Sequence, residues 1–283
     1  MPDTVFDGPR LTGRDFDYLA TLIERRAGIR MPATKRTMVE GRLRRRLRQH
    51  GMGSYAEYCR FLFEEGGLDS ELPDLIDAIT TNKTEFFREP AHFQWLADCA
   101  APELSARGIG IERPLRIWSA GCSIGAEPYS MAMTLAGFGL ARPGFTFQVL
   151  GTDVSTQVLE TARKGIYSED MAERIAPELR RRHLLRSRDR GARQIRMAPE
   201  LRALVEFRQL NFMDTDFRMR VSQDVVFCRN VIIYFDTAVR AAVLGRICRH
   251  LATGGYLVMG HSETLTGLTL PLRQVVPTVY RRV

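Results

Sequence analysis

Apolar residues recur at helical spacing through the first eighty positions. Phe16, Leu19, Leu22 and Ile23 form one stripe, introduced by Thr12 and Asp15 in the arrangement of a capping box and closed by Gly28. Val39, Leu43 and Leu47 repeat every fourth residue and predict a second helix from about Lys35 to His50, stopping before Gly51. Tyr55, Tyr58 and Leu62 predict a third helix. Leu72, Leu75, Ile76 and Ile79 predict a fourth.

From about residue 114 short apolar runs alternate with amphipathic stretches. PLRIWSAG, TFQVLGTDV, VEFRQLNF, DVVFCRN and GYLVMG read as strands. EPYSMAMTLAG and TQVLETARKG read as helices, as does DTAVRAAVLGRICRHLATGG with a glycine stop. VVPTVYRRV predicts an edge strand that closes the chain. Strand–helix alternation implies a parallel sheet covered on both faces. The arginine-rich stretch 168–203 interrupts the alternation and reads as an insertion. The fold class expected is therefore α/β. A small all-helical domain over 1–80 precedes a doubly wound, Rossmann-like domain over 81–283. No internal repeat or low-complexity tract is present.

Hydrophobic residues make up 45% of the 283 positions, enough for a substantial core and too many for a disordered chain. No apolar run approaches the roughly 18 residues of a membrane span. MPDTVFDGPR lacks the basic start and apolar stretch of a secretory signal, so a cytoplasmic protein is expected. Cys59, Cys99, Cys122, Cys228 and Cys248 show no C-x-x-C spacing, and the histidines show no H-E-x-x-H. Small buried thiols are expected, with no disulfide framework and no metal site.

Charge is distributed unevenly. Residues 35–48 carry a net charge of +6 and residues 180–196 carry +7, so a chain of net +8 is acidic elsewhere. Two basic patches on an acidic protein suit an acidic partner: nucleic acid, an anionic membrane or a carboxylate-rich protein surface.

Four segments could carry chemistry. In RIWSAGCSIGAEPYS, Gly121 and Gly125 bracket a strand-to-helix loop, which serves either a cofactor or an ordinary tight turn. In VLGTDVS, Asp153 stands where doubly wound sheets hold ribose hydroxyls, although it could equally cap the next helix. In DVVFCRNVIIYF, a buried strand breaks at Arg229 and Asn230, with Tyr234 close behind; the alternative is a plain exposed strand end. In ITTNKTEFFREPAHF, Asn82, Thr84 and Arg88 lie where the helical part gives way to the sheet, but Asn and Thr also cap helices.

Six ordered blocks, TTNKTEFFRE, WSAGCSIGAEPYS, GTDVSTQVLETARKGIY, QLNF, CRNVIIYF and GGYLVMGHSE, resemble the signature blocks of the CheR family of chemotaxis receptor methyltransferases. The likeness runs from DYLATLIERRAGI to HSETL. It implies an S-adenosylmethionine-dependent protein-glutamate O-methyltransferase. Such an enzyme esterifies glutamates on the cytoplasmic helical bundle of chemoreceptors for chemotactic adaptation and leaves S-adenosylhomocysteine. It implies that Asn82, Thr84 and Arg88 contact the cofactor beside Gly121, and that Glu127 meets its methionine amino group. Asp153 would hold the ribose, Asn211 and Phe212 would flank the adenine, and Arg229 and Asn230 would complete the site. Arg88 and Tyr234 would place the substrate carboxylate. It further implies a receptor-docking helical domain, here with Arg42, Arg45 and Arg46, a small β-rich insertion, and recruitment to membrane receptor clusters without membrane insertion. Some family members tether a receptor's C-terminal pentapeptide through a loop with closely spaced glycines. LLRSRDRGARQIRM has the single Gly191, which departs from that pattern.

Other classes fit less well. A nucleic-acid methyltransferase acting on exocyclic amines would carry an Asp/Asn-Pro-Pro-aromatic motif where this chain has Arg-Asn-Val-Ile, and no aromatics interleave the arginines to stack bases. A nicotinamide-dependent dehydrogenase would show G-x-G-x-x-G. A cofactor-binding adaptor that only docks on receptors would not need every matched cofactor position occupied. His261, in GHSE, is expected to hold the end of its strand rather than to act chemically.

Overall fold

The computed structural model describes residues 10–283, apart from the Arg190 side chain. The start of the chain, from which the absence of a signal was read, lies largely outside the described residues. The chain divides into two compact units. One runs to Thr81 and takes in Tyr234–Asp236; the other comprises Asn82–Ile233 and Thr237–Val283.

The first unit contains α1 (Gly13–Ala27), α2 (Arg36–His50), α3 (Tyr55–Phe63) and α4 (Leu68–Ile79). Thr12 caps α1 by accepting from the Asp15 amide at 3.1 Å, and Gly28 closes it at φ 72°. Phe16, Leu19, Ile23, Val39, Leu43, Leu47, Tyr58, Leu62 and Leu75 share one core. Glu71 is buried within this unit at 2% exposure. Arg46 forks onto it, Nε to Oε1 at 2.7 Å and Nη2 to Oε2 at 2.5 Å, while the Tyr58 hydroxyl donates at 2.7 Å. Burial alone would raise the Glu71 carboxyl, but Arg46, Tyr58 and His50 hold it below the usual range.

This network changes the reading of the basic helix. Arg46 was expected to face a partner, yet its side chain is 12% exposed and committed to Glu71 and Asp74. Arg42 reaches the last turn of α4, donating to the Ile79 carbonyl, to the Thr80 carbonyl at 3.1 Å and to Thr81 Oγ1 at 2.9 Å. Both arginines answer internal acceptors, which their positions on a helical wheel could not reveal. Arg45 is exposed.

The second unit opens with α5 (Ala91–Trp95), which passes through a π-helical turn into α6 (Ala101–Ala106). Strands β1 (Leu115–Ala120) and β2 (Phe147–Asp153) follow, joined by α7 (Ala126–Leu140), and α8 (Thr156–Lys164) leaves β2. A separate antiparallel sheet contains β3 (Ile166–Ser168), β4 (Leu184–Arg186) and β5 (Gln194–Met197), in the order β3-β5-β4, with α9 (Pro177–His183) before β4. After α10 (Pro199–Arg202) come β6 (Val205–Gln209), β7 (Gln223–Cys228), α11 (Thr237–His250), β8 (Leu251–Met259), β9 (Leu272–Val276) and β10 (Val279–Arg282).

Among the described residues seven strands form the main sheet, ordered β6-β2-β1-β7-β8-β10-β9. The first five are parallel, and β10 is antiparallel to both β8 and β9. From β1 the chain builds outward through β2 to β6, then returns to add β7 on the other side. The switch point therefore lies between β1 and β7, and ligands bind at the carboxyl ends there. Two sequence expectations need correction. VVPTVYRRV is not one edge strand: Thr278, at φ 62°, turns the chain, so β9 takes the edge and β10 lies inside. The helix before β8 ends at His250, and Leu251–Gly255 already belongs to the strand. No disulfide forms among the described residues, where Cys59, Cys122, Cys228 and Cys248 are buried and Cys99 is exposed.

Candidate active site

The loop between β1 and α7 is shaped by two glycines. Gly121 has φ 85°, and a Cβ there would lie 2.4 Å from Val231 Cγ2. Gly125 has φ 90°, and a Cβ would meet Ala162 Cβ at 2.8 Å. Any other residue would be strained at both positions. The Gly121 and Cys122 amides each donate to the Thr152 carbonyl at 2.8 Å, which draws the loop against the end of β2.

Ser123 then links two of the candidate residues. Its amide donates to Asp153 Oδ2 at 2.8 Å, and its hydroxyl donates to the Asn82 carbonyl at 2.9 Å. The Ser155 amide donates to Asp153 Oδ1 at 3.0 Å. Two amides thus fix the Asp153 carboxylate at the carboxyl end of β2, and the cap of α8 is Ser155 rather than Asp153. An oriented carboxylate at this position is suited to a vicinal diol.

Arg229 organises the rest. Its side chain is 1% exposed. Nη1 donates to Glu127 Oε2 at 2.9 Å, Nη2 lies 3.1 Å from Glu89 Oε2, and Nη2 also donates to the Arg88 carbonyl. Ser119 Oγ donates to Glu127 Oε1 at 2.7 Å. The two carboxylates respond differently. Burial pushes the Glu127 carboxyl up, and Arg229 and Ser119 offset that only in part. Burial also works to raise Glu89, but the charge and hydrogen bond of Arg229 prevail and hold it below the usual range. Glu127, at the first turn of α7, is thus a largely enclosed carboxylate, its side chain 14% exposed, that is short of positive charge, and a cationic ligand group would supply it.

Glu263 was missed in the sequence. It is 6% exposed and accepts from the amides of Gly260, Asn230, Val231 and Ile232 at 2.8–3.1 Å. Asn230 takes φ 59°, tolerable for asparagine, and this presents three successive amides to one carboxylate. The Asn230 side-chain amide reaches Glu89 Oε1 at 3.4 Å. Glu89 was also missed, although it sits inside the FFRE block. The groups that hydrogen-bond its carboxylate, on Arg229, Asn230 and His261, are more than a hundred residues away, so local spacing carries no signal for it.

The remaining candidates are placed more loosely. The Arg88 guanidinium contacts the Lys83 carbonyl at 3.3 Å, and Thr84 is partly exposed nearby in sequence. Asn211 Oδ1 accepts from the Met213 amide at 2.9 Å, just after β6. Phe212 is 8% exposed, and its carbonyl accepts from Arg246 at 2.7 Å. Tyr234 groups with the helical unit, where its carbonyl accepts from the Arg30 amide at 2.9 Å.

Comparisons with known proteins match nearly the whole chain. Residues 82–280 match the family model described as CheR methyltransferase, SAM binding domain, and residues 14–80 match CheR methyltransferase, all-alpha domain. The chain is 39% identical to chemotaxis protein methyltransferase 2 of Pseudomonas aeruginosa over 99% of its own length and 97% of that protein's. It is 37% identical to the chemotaxis protein methyltransferase of Escherichia coli, over 95% and 91% respectively. A third relative, the chemotaxis protein methyltransferase of Borreliella burgdorferi, is 35% identical over 96% and 95%.

Proposed function

The chain belongs to the CheR methyltransferase family, and from that premise we propose that it esterifies glutamate side chains on the cytoplasmic helical bundle of bacterial chemoreceptors for chemotactic adaptation. S-adenosylmethionine is the cofactor. The observation that carries the reading is the Arg229 network, which holds Glu127 at the carboxyl end of β1 while Ser123 holds Asp153 at the carboxyl end of β2.

The donor set fits the cofactor. Asp153 would take the ribose hydroxyls and Glu127 the methionine ammonium. Asn82, Thr84, Arg88, Gly121, Arg229 and Asn230 would complete its enclosure, with Asn211 and Phe212 beside the adenine. Bound S-adenosylmethionine would supply an electrophilic methyl group on a sulfonium. The acceptor glutamate is already ionised at neutral pH, so the protein need not remove a proton. Its work is to align a carboxylate oxygen with the methyl carbon and to exclude water. Arg88 would orient that carboxylate, and the Tyr234 hydroxyl would donate one hydrogen bond to it. The opposite charges of the reactants cancel as the bond forms, so a site with little water favours the transition state over the ions.

The helical unit would dock on the receptor through the exposed part of α2, Arg45 in particular, and so bring the enzyme to receptor clusters at the membrane. Among the described residues no helix is long and apolar enough to cross a membrane. The deciding experiment incubates the protein and methyl-labelled S-adenosylmethionine with a receptor cytoplasmic fragment or with RNA. Label on the receptor that is released as methanol by base is the expected result. Label on RNA, or none on either, would overturn the proposal.

A further inference from the structure

His92 is 3% exposed beside Glu89 and plays no part in the proposed methyl transfer. Its Nε2 lies 2.8 Å from Thr278 Oγ1, whose own hydrogen goes to the Pro277 carbonyl. The threonine oxygen must therefore accept, and the imidazole proton sits on Nε2. Burial, with the charge of Arg229, lowers the His92 pKa to about 4, so the ring is neutral at pH 7 and Nδ1 carries a lone pair. That lone pair has no hydrogen-bond partner. It faces Glu89 Oε2 at 3.4 Å. Two acceptors opposed at this distance repel each other, and a cation between them would turn the repulsion into attraction. A third donor is close: His261 Nε2 lies 4.0 Å from the same oxygen, and the three atoms fall within 4.8 Å of one another.

We propose that Glu89 Oε2, His92 Nδ1 and His261 Nε2 form a site for one divalent transition-metal ion of the zinc class, and that its occupancy restrains methyl transfer. Tetrahedral ligands at about 2.0–2.1 Å from zinc are about 3.3 Å apart, close to the Glu89–His92 separation. His261 is 58% exposed and can swing in. Two imidazoles and one carboxylate suit zinc, whereas magnesium and calcium favour oxygen-only shells. The far nitrogen of His92 is already held by Thr278, the support that metal-bound imidazoles usually have. Arg229 supplies the restraint. Its Nη2 lies 3.1 Å from the same Glu89 oxygen, so ion and guanidinium compete. An ion that takes Glu89 loosens Arg229, which also holds Glu127. The restraint rests on the methyltransferase reading; the site itself does not.

The test is equilibrium dialysis of the untagged full chain against zinc chloride near neutral pH, for wild type, His261→Ala and Cys99→Ser. Cys99 is the exposed thiol and the obvious adventitious ligand. One zinc per chain is expected in wild type and Cys99→Ser, with binding about tenfold weaker or worse in His261→Ala and no displacement by magnesium. Absence of stoichiometric binding, binding that survives His261→Ala, or binding lost with Cys99 would each overturn the site. Methyl transfer is then titrated with zinc, each protein scaled to its own rate in chelator. Wild type should slow as the site fills, and His261→Ala should need about tenfold more zinc. Equal inhibition of both overturns the restraint. Because zinc is counted without methyl transfer, failure of the site and failure of the enzymatic reading are distinguishable.

Discussion

Arg229 and Glu127 lie 102 residues apart in sequence and are joined by a part-buried hydrogen bond of 2.9 Å, Nη1 to Oε2, in which the guanidinium is the buried partner. The same guanidinium serves Glu89, so its removal strands two carboxylates at once. Arg229→Leu should destabilise the fold by about 3–5 kcal/mol, the usual cost of breaking a buried pair from one side. Arg229→Lys should recover only part of this, because an ammonium cannot fork between two acceptors. Urea denaturation of the three proteins measures both; a leucine variant as stable as wild type would show that the network contributes nothing to stability.

Asp153→Ala should weaken S-adenosylhomocysteine by about 2–3 kcal/mol, since the lost hydrogen bonds involve a charged acceptor. The Ser123 and Ser155 amides also lose their partner, so the fold must be checked in parallel. Calorimetric titration of a folded variant with unchanged affinity would remove Asp153 from the cofactor site.

How much of this could be read from the chain alone depends on the range of each interaction. The Gly121–Gly125 loop and Asp153 are legible because strand, turn and cap succeed one another locally. The break at Arg229 and Asn230 is visible because a run of buried residues ends there. Glu89 and Glu263 are not, since the amides that meet Glu263 come from residues 230–232 and 260. Arg46 likewise looks free until Glu71, 25 residues on, is folded against it. The turn at Pro277–Thr278 escaped because an unusual backbone angle at threonine leaves no mark on hydrophobic pattern.

Arg88→Ala should abolish most methyl transfer and leave the melting temperature nearly unchanged. The guanidinium donates to the Lys83 carbonyl through an exposed 3.3 Å bond, and truncation keeps the Arg88 carbonyl that Arg229 uses. Tyr234→Phe should lower the rate less, through loss of a single hydroxyl. An Arg88→Ala protein that methylates receptor at the wild-type rate would end the substrate-placing role, and one that melts early would make the residue structural.

The arginines of α2 should separate by function. Arg46→Ala leaves Glu71 short of its main partner inside the helical unit, so loss of stability by about 3 kcal/mol is expected. Arg45→Glu should not affect stability, because Arg45 is exposed. It should instead lower receptor methylation at low salt toward the high-salt rate, as expected when charge steers encounter. Salt titrations of initial rate for both variants provide the check. Normal low-salt rates in Arg45→Glu would move attention to the arginines of 180–196.

Acid stability should depend on His92. In the native protein its pKa is about 4, against 6.5 for the free side chain, because burial and Arg229 oppose the charged form. The unfolded chain therefore binds a proton more readily than the native one between those values. Stability rises with pH across that window and is lost as pH falls through it. The contribution amounts to about 2 kcal/mol by pH 5 and about 3 kcal/mol below the native value, at 1.36 kcal/mol per unit. His92→Gln can keep a donor near Thr278 yet cannot titrate. It should lose less stability than wild type between pH 7 and pH 5, by about 2 kcal/mol, in urea denaturation with chelator present. Other groups also titrate over this range, so the difference between the two proteins, and not either curve, isolates the histidine. Parallel loss in both would mean that His92 takes up its proton as readily in the folded protein as in the unfolded one.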